Sequence, residues 1–497
     1  MDVYTFQSFS PPQHLLLATV AAVIGPLLLL FAWSCSKWLS QQRLPNPPPS
    51  KKGWIPWLGV GLQFGKAPLY YIKRVHEELG DIFTIYAVGK RMTFLLDYKD
   101  SSTYFKTPSA SFKEAAIDFT TAAASIEPTS FSEHHTKIHD IFKGQLTMHH
   151  LDPLCQELSL SFYHEILLQV REREGQEVEM ELMDFVRKTM FGPVVKQLFG
   201  QSNLQLSEEE IKSMLTNFIK YDADFKYAQL PAIFNREWGS TKEYLLNIMK
   251  KVVGRVPKQA DCLKHAAEHI ISAVDPANAP GYSLMVLWAS QANAIPISFW
   301  TLSFILSHPN VYKKIKEELK EWPLFQKDMM IFGINVADET SFNAVKEEDL
   351  KAAPPTIKRA ILEAIRLRSP GMIARKVTEP IKIKEYTVPA GHYLMMSPYH
   401  SHRNQTYFPD PETFNPERWL ECDIDKNQFL PGFIAFGGGR YQCPGRWFAL
   451  MELHLYISMI LKLLDMTLID EVPKPSPLHL TGSQQPEGSC FVKIKLK

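Results

Sequence analysis

Phe436-Gly437-Gly438-Gly439-Arg440-Tyr441-Gln442-Cys443-Pro444-Gly445-Arg446 decides how this chain reads. One cysteine closes a glycine-dense turn, with Pro444 and Gly445 behind it. Trp447 to Leu453 then reads as an apolar helix. Adjacent glycines carry no Cβ, so the backbone can pass close to a flat partner. A cysteine near the start of a helix stands where N–H groups and the dipole favour a thiolate. A thiolate offered from a small-residue loop to a planar partner suits an axial ligand for haem iron. The competing reading is a buried structural cysteine, and a lone Cys-Pro-Gly does not separate the two.

Other stretches narrow the choice. Lys358 to Leu367 has helical spacing and puts Glu363 and Arg366 on one face. Pro416-Glu417-Arg418-Trp419 follows downstream, after Tyr407-Phe408-Pro409-Asp410-Pro411. Ser283 to Leu306 is almost uncharged and long enough to span a bilayer. Ser290, Gln291, Asn293 and Ser298 inside it instead suit a helix buried in a large core. Pro296 has no N–H, so the Ala292 carbonyl loses its helical partner and a bend is expected. A free carbonyl beside Asn293 invites a water molecule.

The chain has 497 residues and a net charge of +1, which gives no argument for nucleic acid. Its six cysteines lack paired spacing, against both a disulfide framework and a Cys-x-x-Cys zinc site. Leu15 to Cys35 is an uncharged run of 21 residues, long enough for a membrane helix. Lys37, Arg43, Lys51 and Lys52 follow it, which places the bulk of the chain in the cytosol. A cleaved signal peptide is the alternative, opposed by the missing basic n-region. Leu44-Pro45-Asn46-Pro47-Pro48-Pro49 reads as a stiff extended spacer. The organisation expected is an anchor over 1–36, a proline-rich hinge over 37–52 and one mainly helical domain over 53–497.

Within that domain, Ala67 to Leu79 reads as a helix ending at Gly80. Ile82 to Val88 and Met92 to Leu96 read as a hairpin joined through Gly89-Lys90-Arg91. Residues 108 to 130 are rich in Ser, Thr and Ala with weak periodicity. His135 and His139 share one helix face, a spacing that can hold a metal, although no third ligand accompanies them. Residues 151 to 275 read as mostly helical, and Leu478 to Ser483 as a short strand and turn.

Phe436, Gly439, Cys443 and Gly445 match the cytochrome P-450 pattern Phe-x-x-Gly-x-Arg-x-Cys-x-Gly. The chain therefore resembles that family, with one departure: Tyr441 stands at the arginine position and Arg440 comes one residue early. Glu363 and Arg366, then Arg418, then Cys443 follow the family's order. The stretches Lys52 to Gly61, Phe64 to Leu69 and Leu287 to Pro296 are similar to its sterol-hydroxylase branch. The fold implied is mainly helical with small β-sheets, preceded by one transmembrane helix.

The resemblance also implies roles. Cys443 would ligate the iron of haem b, with Phe436, Gly439, Arg440, Gly445, Arg375 and His135 against the cofactor. Glu363, Arg366 and Arg418 would form a buried structural network. The family's acid and threonine positions are Ile295 and Pro296 here, so the usual proton relay is missing. Asn293 becomes the candidate for orienting water or oxygen, and Trp288 with Asn293 the candidates for touching substrate. The loop over 108–130 and the turn over 478–483 would cover the pocket. The activity implied is 7α-hydroxylation of an oxysterol, 24-hydroxycholesterol, in bile-acid synthesis in the endoplasmic reticulum membrane. O2 would be the co-substrate, and NADPH-cytochrome reductase would supply electrons, docking near Lys137, Lys143 and Arg446. Another sterol 7α- or 12α-hydroxylase, an isomerase of the prostacyclin-synthase kind needing no reductase, and a haem-binding sensor are the alternatives.

Overall fold

In the computed structural model the described residues are 44–497, without 148–149, 171–175, 230–234, 258, 260–262, 323–343, 424–425 and 427, plus five isolated positions before 44. The expected span over Leu15 to Cys35 falls almost wholly outside them. Among the described residues no helix is long and apolar enough to cross a membrane. The chain divides into two compact units, one of residues 1–94 with 377–394 and one of 95–376 with 395–497.

The smaller unit is built on strands Ser50–Lys51, Ile82–Ala87 and Lys90–Leu95, neighbours in that order. The end of the stretch read as a hinge is thus part of a sheet: Ser50 and Lys51 pair in parallel with Thr84 and Ile85. Pro49 has no N–H to give, but its carbonyl accepts from Thr84 N–H at 2.8 Å. The turn between the next two strands is tighter than the sequence suggested. Val88 and Gly89 alone make it, at φ +50° and +75°, the left-handed pair that a two-residue hairpin requires. The helix Pro68–Leu79 stops at Gly80, φ +85°, as its sequence predicts.

The larger unit carries the chemistry. Its helices include α1 (Phe112–Ala124), α2 (Pro128–Gln145), α3 (Leu182–Phe199), α4 (Arg236–Val253), α5 (Ala279–Ser307), α6 (Pro355–Arg368) and α7 (Arg446–Leu463). Packing centres on α5, which touches α3, α4, α6 and α7. Both α5 and α7 are buried on nearly every face, the pattern of helices inside a large core. The uncharged α5 is therefore a core helix, and it continues past Pro296 without a break. Leu464–Leu468, Phe491–Leu496 and Val178–Glu181 form a separate antiparallel sheet.

Two expectations are corrected here. Residues 112 to 124, expected to be part of a loop, are the helix α1. Ser111 Oγ accepts from Glu114 N–H at 3.2 Å to cap its start, and Ser125 at φ +56° ends it; five alanines between supply the propensity that weak periodicity concealed. Leu478 to Ser483 contains no strand: it is a turn between the paired residues Lys474–Pro475 and Pro486–Glu487.

Candidate haem-thiolate site

The cysteine loop is closed by a bond from Cys443 N–H to the Phe436 carbonyl at 2.9 Å. Gly437 and Gly439 have φ of +67° and +65°, which suits residues without a Cβ. A Cβ on Gly438 would stand 2.8 Å from the Phe105 ring, and one on Gly439 2.9 Å from the Phe105 carbonyl. The close approach of these two glycines is thus to Phe105. The cavity wall is made by Ala435, Phe436, Cys443, Pro444 and Gly445. Gly439 and Arg440, both expected against the cofactor, lie off that wall; Arg440 is exposed and 3.6 Å from Asp140.

Facing the cysteine, α5 contributes Val286, Ala289, Ser290, Asn293, Ala294 and Ile297. The cavity between these walls has a volume of about 270 Å³. Asn293 is exposed to it, although its neighbours on α5 are buried. Its Oδ1 accepts from the Ser483 hydroxyl at 3.2 Å, and Ser483 in turn is 3.0 Å from the Ser369 hydroxyl. Burial pushes the Cys443 thiol up, while the Gly445 N–H and the Arg446 guanidinium pull it back. A mostly apolar slot with one sulfur on its wall can take a planar ring whose iron the sulfur ligates.

A second feature fits a haem. Arg375 is buried, and its guanidinium donates to the Ala374 carbonyl at 2.9 Å. It lies over the rings of Phe112, Tyr104 and Tyr441 at 5.0, 5.7 and 5.8 Å. Among the described residues no carboxylate pairs with it. A buried cation in that state is costly unless an anion arrives, and a propionate beside the loop would supply one. Desolvation accordingly lowers the Arg375 pKa.

His135 is placed next to the loop but is already engaged. Its Nδ1 donates to the Phe131 carbonyl at 3.1 Å, so the neutral ring leaves Nε2 as an acceptor. The Thr136 and Tyr441 hydroxyls stand 3.2 and 3.3 Å from that Nε2, which accepts. Burial lowers the ring's pKa, which favours its neutral form. His135 therefore positions Tyr441, the residue at the family's arginine position. His139 Nε2 donates to the Gln442 carbonyl at 3.1 Å, tying α2 to the loop. Among the described residues no cluster could hold a separate metal ion, which removes the two-histidine reading.

Beneath the loop, Glu363 and Arg366 are fully buried. Arg366 meets the carboxylate with two bonds of 2.8 and 2.9 Å, and Arg418 Nε adds a third at 3.2 Å. Trp419 Nε1 and Asn415 N–H also donate to Glu363, both at 3.0 Å. Arg366 reaches on to the carbonyls of His402 and Pro411 at 2.8 and 2.6 Å. His402, which no motif flagged, completes the connection: its Nδ1 donates to the Arg366 carbonyl and its Nε2 accepts from Ile434 N–H at 3.0 Å. The network thus ends two residues before Phe436. His402 also stacks on Phe433 at 5.0 Å.

Trp288, expected to touch substrate, is not on the cavity wall. Its indole N–H donates to Asp222 at 3.0 Å and its ring stacks on Phe225 at 4.0 Å. Asp222 and its neighbour His479, both buried, were invisible in the sequence because residues so far apart share no local pattern.

The cytochrome P450 family profile matches residues 47–494, and the chain belongs to that family. It is 38% identical to the mouse 24-hydroxycholesterol 7-alpha-hydroxylase over 96% of this chain and 99% of the mouse protein. The human protein of the same name is 36% identical over 97% and 99%. A rabbit 7-alpha-hydroxycholest-4-en-3-one 12-alpha-hydroxylase is 27% identical over 96% and 98%.

Proposed function

We propose that this chain is a haem-thiolate monooxygenase that hydroxylates 24-hydroxycholesterol at the 7α position, in the conversion of cholesterol to bile acids. The observation that carries the chemistry is the apolar cavity with Cys443 on one wall and Asn293 exposed on the other. The substrate rests on similarity along nearly the full length to the mouse and human 24-hydroxycholesterol 7-alpha-hydroxylases.

Haem b held by Cys443 would supply oxygen activation, with a thiolate pushing electron density toward O–O cleavage. The chain's own residues do the rest. Phe436 and Gly445 line the slot, and Arg375 offers its cation to a propionate. Glu363, Arg366 and Arg418 hold the backbone before the loop. Val286, Ala289, Ala294 and Ile297 keep water from the apolar ring system and hold the reacting carbon in place. Asn293 faces the cavity, while Ile295 and Pro296 occupy the positions where an acid and a threonine would be expected. NADPH-cytochrome reductase would deliver the electrons. Lys143 is exposed, Lys137 caps the Ala273 carbonyl at 3.2 Å, and Arg446 lies against the cysteine; these cations suit an acidic partner surface. Residues 1–36 would anchor the protein in the endoplasmic reticulum membrane, with 37–52 as a connector and 53–497 as the catalytic part in the cytosol.

Reconstitution with reductase, NADPH and a panel of oxysterols tests this reading. A 7α-hydroxylated product from 24-hydroxycholesterol, dependent on NADPH, is expected. Turnover independent of reductase would favour an isomerase, a reading that the buried Ile295 and Pro296 in place of acid and threonine keep in view.

A further inference from the structure

On the face of α5 turned away from the haem slot lies a second cleft, about 400 Å³ in volume. Sites for small organic ligands span about 300–1,000 Å³. Its apolar wall is Leu215, Phe218 and Ile219 from the helix Glu208–Ala223, with Ile295 and Pro296 from α5. Its unmatched polar groups are few. Gln291 is 1% exposed, and among the described residues its Oε1 has no hydrogen-bond partner. Gln485 donates its amide N–H to Asp222 at 3.1 Å, and its buried Oε1 has no partner either. Arg187 of α3 reaches the same cleft and makes no hydrogen bond among the described residues. The carboxylates of the cleft are already engaged. Asp222 accepts from Trp288 and Gln485, Glu181 from the N–H groups of Asp184 and Cys490, and Asp184 pairs with Lys188.

Two buried acceptors and one cationic donor are left over, and they select the ligand. A carboxylate would meet Arg187 but face both amide oxygens and the acids Asp184, Glu181 and Asp222, whose charges already support the guanidinium against desolvation. An ammonium would meet the oxygens but face Arg187. A hydroxyl both donates and accepts. It can give its proton to an amide oxygen and take a hydrogen bond from the guanidinium, and pairing an unmade buried acceptor favours occupancy.

We propose that this cleft is a second binding site for a hydroxylated sterol, coupled to the haem-side site through α5. The rings lie on the apolar wall, with a hydroxyl at Gln291 and Arg187. The two sites share more than a helix. Gln291 Nε2 donates to the Ser290 hydroxyl at 3.3 Å, and Ser290 lines the haem-side cavity. Gln485 lies two residues beyond Ser483, which lines that cavity too. Between the sites α5 lacks the hydrogen bond that Pro296 cannot give, so movement at this turn costs less. Whatever factor one sterol applies to the affinity of the other is returned in equal measure.

The choice of a sterol rests on the oxysterol reading above. The experiment is equilibrium dialysis of the haem-loaded full chain against labelled 24-hydroxycholesterol, with a Soret titration alongside. Dialysis counts every bound sterol, whereas the Soret band responds to the one beside the haem. The wild type should bind two sterols per haem, and its Soret titration should depart from a single-site curve. Ile219→Trp puts an indole into the cleft from a half-buried position and leaves the haem-side wall untouched. That variant should bind one sterol per haem, keep the full Soret shift and follow a single-site curve. One sterol per haem in the wild type, two in the variant, or single-site curves in both overturn the proposal. Should Ile219→Trp fail to hold haem, Arg187→Met decides it: the second sterol should bind about tenfold more weakly or worse, the effect of losing a charge-assisted bond, and unchanged binding of two sterols overturns the proposal. A wild type whose Soret band no oxysterol shifts defeats the oxysterol reading instead, whereas a normal shift with one bound sterol defeats this inference alone.

Discussion

Two buried glutamates within the same unit predict opposite outcomes for one conservative change. Glu363 is fully buried and accepts from Arg366, Arg418, Trp419 and Asn415. Glutamine in its place keeps the shape, removes the charge and puts a donor where these donors point. Arg366 then remains a fully buried cation with no carboxylate, left with one amide oxygen and the carbonyls of His402, Pro411 and Thr413. Breaking such a pair from one side costs about 3–5 kcal/mol. Against a total stability on the order of 5–15 kcal/mol, that is a large fraction. Glu452 is 1% exposed, and its Oε1 has no partner. Burial drives its pKa well up, which favours the neutral acid. Glutamine replaces a neutral acid with a neutral amide, and the cost should stay within about 1 kcal/mol. Urea unfolding of the two variants, with haem content measured on the same samples, reads the difference. Glu363→Gln should lose several kcal/mol and most of its haem, and Glu452→Gln little of either. Equal losses, or a Glu363→Gln protein as stable as wild type, would refute the argument that the charge pair holds the segment before the cysteine.

Further outcomes follow from the same geometry. Arg375→Met removes a buried cation without a carboxylate partner, so the haem-free protein should become more stable while haem binds more weakly, by about 1.5–3 kcal/mol for a lost charge-assisted bond; haem titration against thermal unfolding separates the two signs. His402 has its pKa lowered to about 3 by burial. The unfolded chain therefore binds the extra proton first, and stability should fall as pH drops from about 6.5 toward 3, at up to about 1.4 kcal/mol per pH unit. His402→Gln should flatten that slope in a pH series of melting curves. Gly438→Ala drives a methyl into Phe105 and should cost about 1–3 kcal/mol by overpacking, relieved in part by Phe105→Leu in a double-mutant cycle.

What the sequence revealed, and what it hid, divides by range. The cysteine loop, the Glu363–Arg366 face and the Pro416 to Trp419 stretch were legible because spacing within one element or turn fixes their geometry. Asn293 was legible because a polar residue beside Pro296 stands out in an apolar run. The helix α1 was missed because its signal is capping by Ser111 and alanine content, not periodicity. Trp288 looked like a pocket residue because nothing local reveals Asp222, 66 residues away, as its partner. His402 and His479 act through contacts made only when distant segments meet. The glycine run promised a close approach to a flat cofactor, but at Gly438 and Gly439 the residue approached is Phe105.

The most direct test of the central claim is the absorbance spectrum of the reduced protein under carbon monoxide, recorded for the wild type and for Cys443→Ser. Ligation by the Cys443 sulfur predicts the strongly red-shifted Soret band of a thiolate-bound haem in the wild type and its loss in the variant. A wild type without that band, or a variant that keeps it, would contradict the account.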